Sequence, residues 1–201
     1  SYSKANREPS RSDYENNPNI RSEKLNDFEL GWRYRKDGLK FNANLYYMLY
    51  DEQLILTGAL DDVGTPIRTN SGQSYRFGLE LDGGYKFSES FLLNTNVTLS
   101  SNKNKEIISL VDGALFNYGK TNISFSPNLT GSNTITFKPS EKTSFSFLSK
   151  YVGTQYMGNT DAINSKLESY FINDLNFSFV LSSKDTFDSV ILSGVINNIF
   201  D

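Results

Sequence analysis

The chain has 201 residues, 37% hydrophobic and 14% aromatic, and its 20 Lys and Arg against 23 Asp and Glu leave a formal charge of −3. It holds neither Cys nor His, which excludes disulfides, thiolate metal sites, thiol nucleophiles, a Ser-His-Asp triad and any His-rich metal centre. The near-neutral charge gives no basic footprint for nucleic acid, and no apolar run approaches the length of a transmembrane helix.

The 12 Tyr and 15 Phe stand in a chain whose mean hydropathy is only −0.46. A dry core needs more Leu, Ile, Val and Ala. Aromatics without bulk hydrophobicity suit a β-barrel with a polar lumen, the one architecture that crosses a bilayer on strands alone. Carboxylate-pair catalysis stays formally open, but no catalytic, metal or cofactor-binding residue is assigned, and the protein is not expected to be an enzyme.

The opening, SYSKANREP, has neither a basic start nor an apolar h-region and is not a signal peptide. Tyr2, Lys4 and Asn6 read as the end of a strand, so the chain is expected to be a segment of something longer. Residues 7–25, polar, aperiodic and with two prolines, read as a long loop. Residues 26–50 then alternate with a period of two. Phe28, Leu30, Trp32 and Tyr34 share one face, and Asp27, Glu29, Arg33 and Arg35 the other. After a Lys-Asp-Gly turn, Leu39, Phe41, Ala43, Leu45 and Tyr47 oppose Lys40, Asn42, Asn44 and Tyr46.

Residues 51–72 form a second long connection whose apolar start is expected to extend the strand above Tyr50. Residues 73–87 set Tyr75, Phe77, Leu79, Leu81 and Tyr85 against Arg76, Glu80, Asp82 and Lys86, with Gly83-Gly84 read as a bend or bulge. A Ser-Glu-Ser turn precedes a strand over 91–102, and 103–127 is expected to be a third long loop. Strands over 128–138 and 143–153 flank a turn from Pro139 through Lys142. A shorter loop at about 154–168, a strand over 169–182, a Ser-Lys-Asp-Thr turn and a last strand from about Asp188 to Phe200 complete the chain.

The connections thus alternate between long and tight. About nine or ten long strands in such a meander match an outer-membrane barrel, with periplasmic turns and extracellular loops, better than a sandwich of shorter strands. An Arg or Lys on the lipid face costs about 2–4 kcal/mol at the bilayer midplane. The faces carrying Glu29, Arg33, Arg35, Arg76, Glu80 and Asp82 therefore have to line a watery lumen. Tyr34, Tyr47, Tyr85, Phe87 and Tyr151 fit interfacial girdles, and equally the ordinary preference of strands for aromatics.

Eight segments, taken in order, resemble a known family: NREPSRSDY (6–14), EKLNDFELGWRYR (23–35), LYYMLYDEQLILTG (45–58), SYRFGLEL (74–81), SFSPNLTGSN (124–133), KYVGTQYMGNT (150–160), YFINDLNFSF (170–179) and VINNIF (195–200). The set resembles the C-terminal barrel portion of the TonB-dependent outer-membrane receptors, in the form found in the Bacteroidetes. The resemblance implies an all-β, antiparallel up-and-down transmembrane barrel of about 22 strands, of which residues 1–201 supply fewer than half. The N-terminal plug, the box that binds the TonB coupling protein and the closing strand would then lie outside the sequence. It also implies location in the bacterial outer membrane, contact with its lipid, and import of a scarce small-molecule chelate, with a ferric siderophore favoured over cobalamin or a glycan.

Candidate ligand contacts fall in the loops: Arg7, Arg11 and Tyr14 in the first, Arg68 bordering the second, Tyr118 in the third and Tyr156 in the fourth. An anionic chelate favours Arg and Tyr, although Arg7 could instead pair with Glu8 and organise its own loop. Asp51, Glu52, Asp61 and Asp62 lack the spacing of a calcium loop. A small passive porin or adhesin, and a soluble β-domain, remain as alternatives.

Overall fold

The structure is a computed structural model and describes residues 1–111, 114–181 and 189–200. Its strands are β1 (Tyr2–Arg7), β2 (Glu23–Lys36), β3 (Leu39–Asp51), β4 (Leu54–Leu60), β5 (Pro66–Asn70), β6 (Ser74–Lys86), β7 (Phe91–Val111), β8 (Ala114–Asn122), β9 (Leu129–Ser140), β10 (Thr143–Val152), β11 (Gln155–Tyr156), β12 (Lys166–Leu167), β13 (Tyr170–Leu181) and β14 (Val190–Ile196), with one short helix, α1 (Arg11–Asn16). Ten strands make one sheet in the order β1-β2-β3-β6-β7-β9-β10-β13-β14, with β8 on the upper part of β7. Every pairing in it is antiparallel. The sheet is open, with β1 and β14 at its edges.

Period-two alternation becomes a two-faced wall because directly paired residues leave the same side of a sheet. Phe28 opposes Tyr47, Leu30 opposes Leu45, and Leu45 opposes Leu79, which in turn opposes Leu99. This apolar face has nothing packed on it: Leu30 is 71% and Trp32 58% exposed. The buried hydrophobic side chains among the described residues are Ile20, Leu54, Ile107, Ile123 and Val152, all in the long connections or at the strand ends beside them. A soluble sandwich would bury the apolar face instead.

The tight turns hold the register. Asp37 and Gly38 both take positive φ, 46° and 81°, the two-residue geometry whose twist suits a hairpin. Glycine is needed at 38 on both counts, since a Cβ would also lie 3.4 Å from the Lys86 carbonyl. At Gly78 the Tyr46 ring lies across the backbone, where a Cβ would collide with it.

Several expectations are corrected. Gly83-Gly84 forms no bulge, since β6 pairs without a register shift on both sides. The start of 51–72 does not extend β3: Glu52, at φ 55°, turns the chain, and β4 and β5 form a separate hairpin. Residues 103–127 are not a loop throughout. β7 runs on to Val111 and β8 folds back along it, with register shifts between Asn104 and Ile108 that break the period. The first loop contains α1. The turn after β9 narrows to Glu141-Lys142, and β14 stops at Ile196 rather than Phe200. The Ser-Lys-Asp-Thr turn and Asp188 lie outside the described residues.

Candidate functional site

The long connections form a crown above one end of the wall, tied together by side chains. Ser10 caps α1: its Oγ and Asp13 exchange hydrogen bonds, and the Ser10 N–H donates to Asp13 Oδ2 at 2.8 Å. Asp13 is buried and lies 3.5 Å from Arg68 Nη1 on β5, which docks the helix on the β4–β5 hairpin. Burial works against the Asp13 charge. Its hydrogen bonds with Ser10 and the Arg68 guanidinium outweigh that and hold the carboxyl below its usual range. Asn70 extends the tie by donating to the carbonyls of Arg21 and Glu52, both at 2.8 Å, while Glu23 Oε2 accepts from the Leu54 N–H at 2.8 Å.

The other connections join in turn. Lys105 donates to Gln73 through its backbone N–H and its Nζ, both at 2.9 Å. Asp161 accepts from the Asn122 backbone at 3.0 Å and side chain at 2.9 Å, and Asn159 Oδ1 accepts from the Ser124 N–H at 3.0 Å. The Phe125 N–H donates to the Tyr156 carbonyl at 2.8 Å, and Arg76 reaches Ser126 Oγ at 3.0 Å. Asp61 organises the β4–β5 loop by accepting from the Thr65 and Val63 N–H groups, which hold its pKa down.

Between these connections lies a cavity of about 660 Å³, within the range of small-molecule sites. Leu56 and Thr57 from β4, Ile107 and Ile108 from β7, and Met157 and Asn159 from the fourth connection line it. Its charged residues are engaged: Lys105 with Gln73, and Glu106 Oε1 with Asn117 Nδ2 at 2.6 Å. The surface offered to a ligand is therefore largely apolar.

The six loop candidates are not gathered there. Arg7 ends β1, and Glu8 is bonded to Ser22 Oγ at 2.6 Å rather than to Arg7. Arg11 pairs with Glu15 at 2.8 Å on the outer side of α1. Tyr14 lines a separate shallow cavity with Ile20, Arg21 and Glu52. Arg68 holds Asp13, Tyr118 sits half-exposed on β8, and Tyr156 anchors Phe125 through its carbonyl. Glu29, Arg33, Arg35, Arg76, Glu80 and Asp82 fall on the polar face of the wall, where Asn44 bonds to Glu80 at 3.4 Å and Asn42 to Asp82. Sequence reasoning missed Asp13, Asn70, Asn159 and the fully buried Asn104, whose Nδ2 donates to the Asn122 carbonyl at 3.2 Å. Only the first had a local signal, the Ser10-x-x-Asp13 spacing of a capping box.

A family model described as TonB dependent receptor-like, beta-barrel matches residues 1–199. The chain belongs to this family. Among solved structures, the copper transporter OprC is 18% identical with a TM-score of 0.71, over 98% of this chain and 30% of that one. The ferric enterobactin receptor PfeA of Pseudomonas aeruginosa is 17% identical with a TM-score of 0.64, over 90% and 26%. The ferric yersiniabactin uptake receptor FyuA of Yersinia pestis is 16% identical with a TM-score of 0.65, over 90% and 25%. At these identities the likeness is one of fold, and the chain spans between 25% and 30% of the length of these receptors. No curated protein sequence matches it.

As part of a TonB-dependent receptor barrel, the wall stands in the outer membrane. An outer-membrane barrel turns an apolar face to lipid and a polar one to its lumen, and the wall has one face of each kind. Aromatic pairs stand near the tight turns, Tyr85 on Phe87 at 4.7 Å and Trp32 on Tyr34 at 6.0 Å.

Proposed function

We propose that the chain is the C-terminal part of the barrel of a receptor that binds and imports a scarce chelate, a ferric siderophore. The closing strand, the plug and the TonB-binding segment would be supplied by sequence outside these residues. The observation that carries the reading is the crown: ordered, hydrogen-bonded connections line an open, ligand-sized cavity at one end of the wall. A passive pore has no use for such a cavity at its mouth.

Copper is named for one structural neighbour, siderophores for others. The composition favours a metal that arrives with its own ligands, since these residues include no Cys or His and only two Met. The apolar lining suits the organic shell of such a chelate. Growth of a deletion strain on defined iron sources tests this. Loss of growth on one ferric siderophore, restored by the gene, is expected; unimpaired growth on every siderophore with a defect on cobalamin or a glycan overturns it.

A further inference from the structure

On the apolar face the register stacks the wall in rows, and the rows change character toward the crown. Leu30, Leu45, Leu79 and Leu99 are successive partners across β2, β3, β6 and β7. Two residues nearer the crown stand Tyr2, Phe28, Tyr47 and Phe77, with the Tyr2 and Phe28 rings 4.9 Å apart and those of Tyr47 and Phe77 6.1 Å. The next row runs Lys4, Asn26, Leu49, Tyr75, Lys103 and Asn122, from β1 to β8. Above it Lys24 stands opposite Asp51, which accepts from Gln73, and Gln73 accepts in turn from Lys105. Lys120 of β8 is on this side as well, since its Nζ lies 5.2 Å from the centre of the Tyr75 ring. Within two rows the described surface from β1 to β8 thus passes from leucine and aromatic side chains to five lysines against one aspartate.

In an outer-membrane barrel the apolar face is the one that meets lipid. In a plugged barrel the plug fills the other side, and further wall strands join at the edges β1 and β14, so neither stands on this surface. A lysine here costs most at the bilayer midplane and little at the headgroups, which puts the lysine rows at headgroup depth. Lys103 and Tyr75 are register partners and Lys120 lies over the Tyr75 ring, so both lysines stand at one tyrosine in the middle of the sheet. Lys103 Nζ gives one N–H to Asn122 Oδ1 at 2.6 Å and keeps two. An ammonium is a point charge with rotatable donors, suited to phosphate oxygens. We infer that Lys103 and Lys120 bind the phosphate of an outer-leaflet glycolipid whose acyl chains lie along the aromatic and leucine rows beneath. Cationic and apolar surface, in that order on one face, match the two ends of such a molecule. The inference takes the crown end as the outer one and requires no particular cargo in the crown cavity.

The purified full-length receptor, stripped of lipid in a neutral detergent, is titrated with bisphosphorylated lipid A and with the same lipid after removal of its phosphates. The tightest-bound copy is followed by native mass spectrometry. The phosphorylated form is expected to bind about tenfold more tightly, since each lysine beside an anionic headgroup contributes severalfold. The Lys103→Gln, Lys120→Gln double variant should bring the two forms to parity, and Lys103→Arg, Lys120→Arg should keep the preference. Lys36→Gln, a change at the tight-turn end of β2, should keep it too. Parity in the unaltered receptor means a lipid held by its chains alone and overturns the inference without recourse to any variant. A preference that survives the double glutamine change, or that Lys36→Gln also abolishes, places the phosphate elsewhere and overturns it as well. None of these readings involves cargo, so their outcome is separate from that of the growth assay.

Discussion

Asp13 is the residue on which the first connection turns. It accepts from Ser10 within the capping box and faces Arg68 across to β5, although it is buried. Asp13→Asn removes the charge from both contacts and is expected to destabilise the packing of α1 on β5 by about 1–3 kcal/mol, through weakened hydrogen bonds to Ser10 in the capping box and the lost ion pair with Arg68. Faster amide exchange at Tyr14 and Asn17, whose N–H groups bond to Ser10 and Asp13, reads this out in the full-length receptor. The pH dependence has a definite sign. Because the folded pKa lies below the ordinary 3.8, the contribution is complete above pH 3.8 and is lost as pH falls through the folded value. Asp13→Asn should abolish that acid-dependent loosening.

At the scale of the strand, the two faces of β3 make opposite demands. Leu45 sits on the apolar face between Leu30 and Leu79, while Asn44 next to it faces Glu80. Leu45→Arg is expected to cost about 2–4 kcal/mol of barrel stability, and Asn44→Lys about 0–1 kcal/mol. Heat-modifiable gel mobility of the full-length receptor should show unfolding at lower temperature for the first and little change for the second; equal effects would mean the faces are misassigned. This two-faced pattern is also why the wall was legible in the sequence. Lipid on one side and water on the other force a strict period of two over 10 to 14 residues per wall strand from β2 to β6 and β9 to β13. The upper part of β7 was not legible because its register shifts break that period. α1, at six residues, is too short to show a helical one.

For the whole molecule, sequence reasoning assigned the wall and its connections but not how those connections fold onto one another. The contacts that build the crown, such as Asn122 with Asp161 and Arg21 with Asn70, join residues 39 and 49 positions apart through polar side chains with no periodicity. The six Arg and Tyr candidates suit the chemistry of an anionic cargo, whereas the crown cavity sets Leu56, Ile107, Ile108 and Met157 among uncharged polar residues such as Thr57, Gln73 and Asn159. The functional reading rests on which end of the wall meets the outside of the cell. Single cysteines in a full-length receptor otherwise free of cysteine, probed in intact cells with a polyethylene glycol maleimide too large for outer-membrane pores, test that most directly. Cysteines replacing Val63 and Ile163, exposed in the crown, should label in intact cells, and those replacing Asp37 and Glu141 in the tight turns only after the outer membrane is opened. Labelling of the tight-turn positions in intact cells, with the crown positions protected, would contradict the account.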